Sequence, residues 1–243
     1  MLRPGFLKIL QFWLVTLVWF GFINSFPQLQ AKPFSWSFSQ QDSLDFSGDG
    51  RPKRTAGGAS RGECQVSQPN EALTALIPDT SVALTVSATP KFWFYVPYNM
   101  TENHAAELVL KDSEGNFVYR DRFSGTEIDT GIMSLSLPPS VELSTDRNYD
   151  WYFLIYCDEQ NPDRFVYVHG SVRRVQNPVN QRQVKPVDRQ AELTLYTQAK
   201  IWHDALDLIA QNLQTQPQNP QLQEDWFELL ESVDLEYLAE RSF

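Results

Sequence analysis

From residue 73 to residue 175 the chain is written in short apolar runs separated by turn residues. The runs fall at 73–77, 82–86, 92–96, 106–111, 117–123, 132–137, 149–157 and 165–175. Several keep a two-residue period. Met133, Leu135 and Leu137 point one way while Ser134 and Ser136 point the other, and Tyr149, Trp151, Phe153, Ile155 and Cys157 line one face of their run. Alternation at this period puts one face of a strand inside and the other outside. Asp112, Ser113, Glu114, Gly115 and Asn116 form a hairpin connection, because Gly and Asn tolerate positive φ. Prolines stand at strand edges, at 78, 90, 97, 138 and 139, where a missing N–H costs least. Eight short antiparallel strands over residues 64–175 predict a β-sandwich.

Beyond 189 the period changes to that of a helix. Trp202, Leu206, Ile209 and Leu213 follow one stripe, and Leu222, Trp226, Leu229, Leu230 and Val233 follow another. Asn219 before Pro220 places a capping side chain ahead of a proline at the first helical position. Residues 190–243 are therefore a helical tail, joined to the sandwich by a linker at 176–189.

The N-terminus reads as an export signal. Arg3 and Lys8 precede an apolar stretch from 9 to 23, too short for the ~20 residues of a spanning helix. Leu29, Gln30 and Ala31 are an imperfect cleavage site, so residues 1–31 are either a removed signal peptide or a retained anchor. Residues 32–63 form a flexible arm rich in Gly, Pro and basic side chains, among them Arg51, Arg54 and Arg61.

Charge narrows the partners. The chain has 243 residues and a formal net charge of −10, with 15 acidic and 6 basic side chains in 64–170 and 10 acidic and 2 basic in 190–243. Neither acidic block has the basic footprint that a phosphate backbone requires, which argues against nucleic acid. The two cysteines, Cys64 and Cys157, favour a disulfide in an exported chain, with two buried thiols as the alternative. A bridge closing about 90 residues would stabilise by roughly 4 kcal/mol.

Catalytic signatures are sparse. There is no G-x-S-x-G elbow, and His104, His169 and His203 lie on separate predicted elements. Three histidines and two cysteines, none at ligand spacing, point to no metal and no cofactor. Asp158, Glu159 and Asp163 supply loop oxygens without the spacing of a calcium loop. Phe92, Trp93, Phe94 and Tyr95 are apolar on both faces of their strand, as in a central strand covered on both sides or an aromatic platform for a sugar ring.

Three resemblances sharpen this reading. Leu143 six residues ahead of Tyr149 resembles the corner before the penultimate strand of fibronectin type III and immunoglobulin-like domains, where the Tyr hydroxyl bonds back to nearby backbone. Tyr196, Ala205, Ile209 and Pro217 fall at the offsets of a tetratricopeptide unit. The fold expected is thus an immunoglobulin-like antiparallel β-sandwich with a small tetratricopeptide-like tail. The segments Arg61-Gly62-Glu63-Cys64, Phe92-Trp93-Phe94-Tyr95-Val96-Pro97-Tyr98, Trp151-Tyr152-Phe153, Ile201-Trp202-His203-Asp204-Ala205-Leu206 and Trp226-Phe227-Glu228-Leu229-Leu230 together resemble a cyanobacterial exported family known as domain of unknown function nine-two-eight. That resemblance implies a periplasmic or secreted home and brings no catalytic residues with it.

The function expected is a non-enzymatic envelope interaction module docking a protein partner. Its candidate contacts are Trp202, His203, Asp204 and Trp226 on the tail and Arg51, Arg54 and Arg61 on the arm. A glycan held by the sandwich is the alternative, and an envelope hydrolase built around His104 or His169 is a third class. The membrane enters only through an uncleaved signal.

Overall fold

The computed structural model describes residues 58–60, 64, 71–78, 82–177 and 189–243. The described residues are mainly β, with two sheets followed by three short helices. Among the described residues nine strands occur in chain order: β1 (Gly58–Ser60), β2 (Thr74–Ala75), β3 (Ala83–Thr85), β4 (Lys91–Val96), β5 (Ala105–Asp112), β6 (Phe117–Ser124), β7 (Gly131–Ser136), β8 (Asn148–Tyr156) and β9 (Phe165–Arg174). The smaller sheet runs β2-β4-β7, and the larger runs β1-β9-β8-β5-β6. Each of the eight apolar runs contains a strand. Two details differ from expectation. The Gly-rich arm supplies a strand of its own, β1, paired from Gly58 opposite Tyr167 to Ser60 opposite Phe165. β3 pairs parallel with β9, on the same edge as β1, so the larger sheet is mixed rather than antiparallel throughout.

The sheets meet through the inward halves of their alternating strands. Phe94 of β4 stacks on Phe153 of β8 at 4.2 Å between ring centroids, and Phe92 lies 5.4 Å from Trp151. All four rings are buried. Opposite Trp151, β9 carries Gly170. A Cβ there would lie 2.7 Å from the Trp151 ring and 2.6 Å from Ile77 Cδ1, so the absent side chain is what admits the indole. Leu143 is fully buried, and the Tyr149 hydroxyl accepts from the Ser144 N–H at 3.1 Å. The β5–β6 turn closes as its residues demand: Gly115 takes φ +84°, and Asp112 Oδ1 accepts from the N–H groups of Glu114 and Asn116. A disulfide joins Cys64 to Cys157 at the end of β8, a pairing consistent with an extracytoplasmic location.

The helices are α1 (Arg189–Gln198), α2 (Trp202–Thr215) and α3 (Pro220–Glu231). Asn219 caps α3, accepting from the N–H groups of Gln221 and Leu222. α1 ends in a six-to-one closure: Lys200 stands at φ +57°, its N–H reaches Thr197 O, and the Ile201 N–H reaches Tyr196 O. Asp234, at φ +61°, closes α3 in the same way, with Leu235 N–H donating to Leu230 O. The reversal at Lys200 folds α1 back on α2, the turn at 216–219, closed by Asn219 N–H on Gln216 O, folds α3 back on α2, and α2 then seats against the strands. Trp202 Nε1 donates to Leu76 O at 2.8 Å, Asp204 Oδ2 accepts from Thr85 Oγ1 and the Val86 N–H, and Lys91 Nζ meets Asp207 at 3.0 Å.

The last residues return to the smaller sheet. Ser242 O accepts from Ile132 N–H at 2.7 Å on the open edge of β7, and Arg241 pairs with Glu71 at 2.6 Å. Phe243 packs edge-on against Trp93 and beside Trp226. β4 is therefore covered on both faces, which is why its four consecutive aromatic residues are all buried. Among the described residues no helix is long and apolar enough to cross a membrane.

Candidate functional site

The reversal at Lys200 sets α1 beside α2, and α3 folds back across α2 from the other side. The space between them is a groove of about 700 Å³, within the ~300–1,000 Å³ usual for ligand sites. Its floor is α2, where Trp202, Ala205 and Ile209 recur at i, i+3 and i+7. One wall is the α1 stripe Gln190, Leu193, Thr194 and Thr197, and the other is the α3 stripe Asp225, Glu228, Leu229 and Ser232. Both walls keep the i, i+3, i+4, i+7 spacing of one helical face. Val82 and Leu84, at the start of β3, close one end.

Apolar groups are sunk and polar groups stand at the rim. Trp202, Ala205, Ile209, Leu193 and Leu229 are buried, whereas Thr194, Thr197, Glu228 and Ser232 are exposed. The charge is one-sided. From Ile201 to Glu240 there are nine acidic residues and no Lys or Arg, and two of those acids, Asp225 and Glu228, stand on the α3 wall. Lys200 lines the end of the α1 wall.

The structure places the tail residues proposed as partner contacts largely inside the chain. Trp226 is 1% exposed and packs on Phe243. His203 is 2% exposed, with its ring edge-on to Phe92. Its Nδ1 faces the Lys91 carbonyl at 3.2 Å; a carbonyl only accepts, so Nδ1 carries the proton and Nε2 is buried with no partner among the described residues. Burial pushes this imidazole down to about 4. Asp204 is engaged by Thr85 and Val86, and burial, only partly offset by those bonds, raises its carboxyl above the usual range. Trp202 alone of the four also reaches the groove, as part of its floor. An amphipathic stripe does not say what covers it, and here the sheets and the C-terminal return cover it. Arg51, Arg54 and Arg61 lie outside the described residues. The groove residues escaped the sequence reading because Thr194, Glu228 and Ser232 look like ordinary solvated helix positions.

The other candidate groups are dispersed. His104 Nδ1 accepts from the N–H of Thr101, and its ring nitrogen and the Thr101 hydroxyl lie 2.8 Å apart. Asp158 folds onto Gln160 N–H in the β8–β9 turn. Among the described residues no group of three His, Cys, Asp or Glu side chains could hold a metal ion. The outward face of the larger sheet carries a row of rings: Tyr152 stacks on His169, which stacks on Tyr167, and Phe165 continues the row toward Tyr156. Beside that row lies Glu107, 2% exposed, which accepts from Tyr156 OH at 2.7 Å and pairs with Arg120.

Residues 56–243 match the family model described as Domain of Unknown Function (DUF928). The chain belongs to this family. The match takes in β1, both sheets and the whole helical tail, so the docked helices are part of the family's unit and not an appendage to it. No curated protein matches the chain.

Proposed function

We propose that this DUF928 chain is an exported, non-enzymatic interaction module of the cell envelope, and that its three-helix groove is where it holds a protein partner. The observation behind this reading is the groove itself: an apolar floor with polar rims, walled by two helical stripes, on a tail whose Trp226 and His203 are already covered. A tail fixed to the sheets by Trp202, Asp204 and Asp207 presents the groove without an ordering cost at binding. The export signal read at the N-terminus and the Cys64–Cys157 disulfide support a place outside the cytoplasm for this surface.

The finer fold reading follows the same line. We infer that the two sheets are immunoglobulin-like, because β2-β4-β7 and β9-β8-β5-β6, with β3 parallel beside β9, reproduce the two-sheet strand order of that class. The Tyr149 corner supports it. The hairpin of α1 and α2 is read as tetratricopeptide-like, with α3 standing where a following repeat would begin.

The test is cross-linked affinity purification from the native envelope with the full chain and with Ser232→Trp, which fills the groove from an exposed rim position. One protein captured by the wild type and lost from the variant supports the reading. Equal capture by both removes the groove from it, and background alone from both removes the interaction function. A glycan-binding module is the second reading, favoured by the Tyr152–His169–Tyr167–Phe165 ring row. It calls for a glycan-array signal that Tyr167→Ala abolishes and Ser232→Trp leaves unchanged.

A further inference from the structure

We propose that the groove's occupant is an amphipathic helix of the partner protein with basic residues on its flank. This rests on the groove being the partner site. Two features of the groove select this chemistry. The first is shape. Both walls and the floor are helical faces, α1 and α3 offering matched i, i+3, i+4, i+7 stripes on either side of Trp202, Ala205 and Ile209. Ridges of this kind interdigitate with the ridges of another helix, whose anchors at i, i+3, i+4 and i+7 would fill the apolar floor. The second feature is charge. Asp225 and Glu228 form one rim, and neither makes an ion pair among the described residues. A helix seated on Ile209 and Leu229 brings its flanking residues against these two carboxylates. Lys or Arg there gains a partner, whereas Asp or Glu meets like charge. The same rim disfavours an anionic lipid headgroup.

The probe is a labelled synthetic peptide of about 18 residues, long enough to hold a helix, with Leu at the four anchor positions and Lys on both flanks. Three controls accompany it: the same peptide with Glu on the flanks, a Lys peptide broken by a central Pro, and anionic vesicles. Binding to the full chain is followed by fluorescence anisotropy. The Lys peptide should bind about five- to tenfold tighter than the Glu peptide, two exposed pairs being worth roughly that much, and the difference should shrink in high salt. The Pro peptide should lose binding, and the vesicles should not bind. The double variant Asp225→Lys, Glu228→Lys, changed only at the rim and checked for folding by circular dichroism, should reverse the preference.

Equal affinity for the Lys and Glu peptides would overturn the charge assignment, and undiminished binding of the Pro peptide would overturn the helix. Binding of the vesicles alone would assign the surface to lipid. If no peptide binds while Ser232→Trp still loses the captured envelope protein, this proposal fails and the groove's role as a partner site stands. If capture is also insensitive to Ser232→Trp, both fail.

Discussion

Replacing Asp204 tests whether the tail is fastened to the sheets as described. Its Oδ2 accepts two hydrogen bonds, from Thr85 Oγ1 at 2.8 Å and from Val86 N–H at 2.9 Å, and Thr85 is fully buried. Asp204→Ala removes both bonds and strands an amide and a hydroxyl away from water. Bonds to a charged acceptor are worth about 1.5–3 kcal/mol each, and a stranded buried donor costs about 1–3 kcal/mol, so a net loss of about 3 kcal/mol is expected. Asp204→Asn behaves differently, because its amide oxygen can accept from the same two donors. Burial raises the folded carboxyl above its unfolded value, so between those values the folded state holds the extra proton and stability falls as pH rises. Above that window Asp204 carries the burial cost of a charge that Asn lacks. Asp204→Asn is therefore expected within about 1 kcal/mol of wild type at neutral pH, or above it. Urea unfolding followed by tryptophan fluorescence, under oxidising conditions, measures all three proteins. An Asp204→Ala variant as stable as wild type would refute the reasoning, since the carboxylate would then not be fastening α2 to β3.

Three further outcomes follow from the same contacts. His203 is held down to about 4 by burial against an unfolded value of 6.5, so the unfolded chain binds the extra proton between these values and stability falls as pH falls through that window. The wild type should lose about 3 kcal/mol relative to His203→Gln between pH 6.5 and 4; parallel pH profiles would contradict the assignment. Reducing the Cys64–Cys157 bridge, or replacing both cysteines by Ala, should lower stability by roughly 4 kcal/mol, read from urea midpoints with and without reductant. Gly170→Ala should cost about 1–3 kcal/mol by pushing a methyl group into Trp151 and Ile77, and an unchanged thermal midpoint would show that the indole has room to move.

The strands were legible because their signal is local. A short apolar run bounded by turn residues marks a strand whatever it packs against, so the runs at 132–137 and 149–157 declare themselves in their own residues, although β8 is buried on both faces from Trp151 onward. The Leu143–Tyr149 corner and the Asn219-Pro220 helix start are equally local, and both appear as read. β1 was hidden because Gly58, Ala59 and Ser60 have no alternation to read, and backbone pairing with β9 makes them a strand. The parallel pairing of β3 depends on where the chain crosses between sheets, which no three-residue run encodes.

The same limit governs the site. Trp202 and Trp226 advertise an apolar face, but whether that face meets a partner or the chain's own sheet is decided by residues far away, Leu76 and Phe243 among them. The groove is a property of three helices at once. Thr194 and Ser232 acquire meaning only when the reversal at Lys200 and the turn at 216–219 set their helices on either side of α2.

The most direct test of the groove's role is a photo-reactive residue placed at Thr194, on the groove wall, and separately at Asn116, on the exposed β5–β6 turn, with the full chain irradiated in its native envelope. The account expects a discrete cross-linked partner from position 194 and none from 116. Cross-linking from 116 alone, or the same species from both positions, would contradict it and move the partner's surface away from the helices.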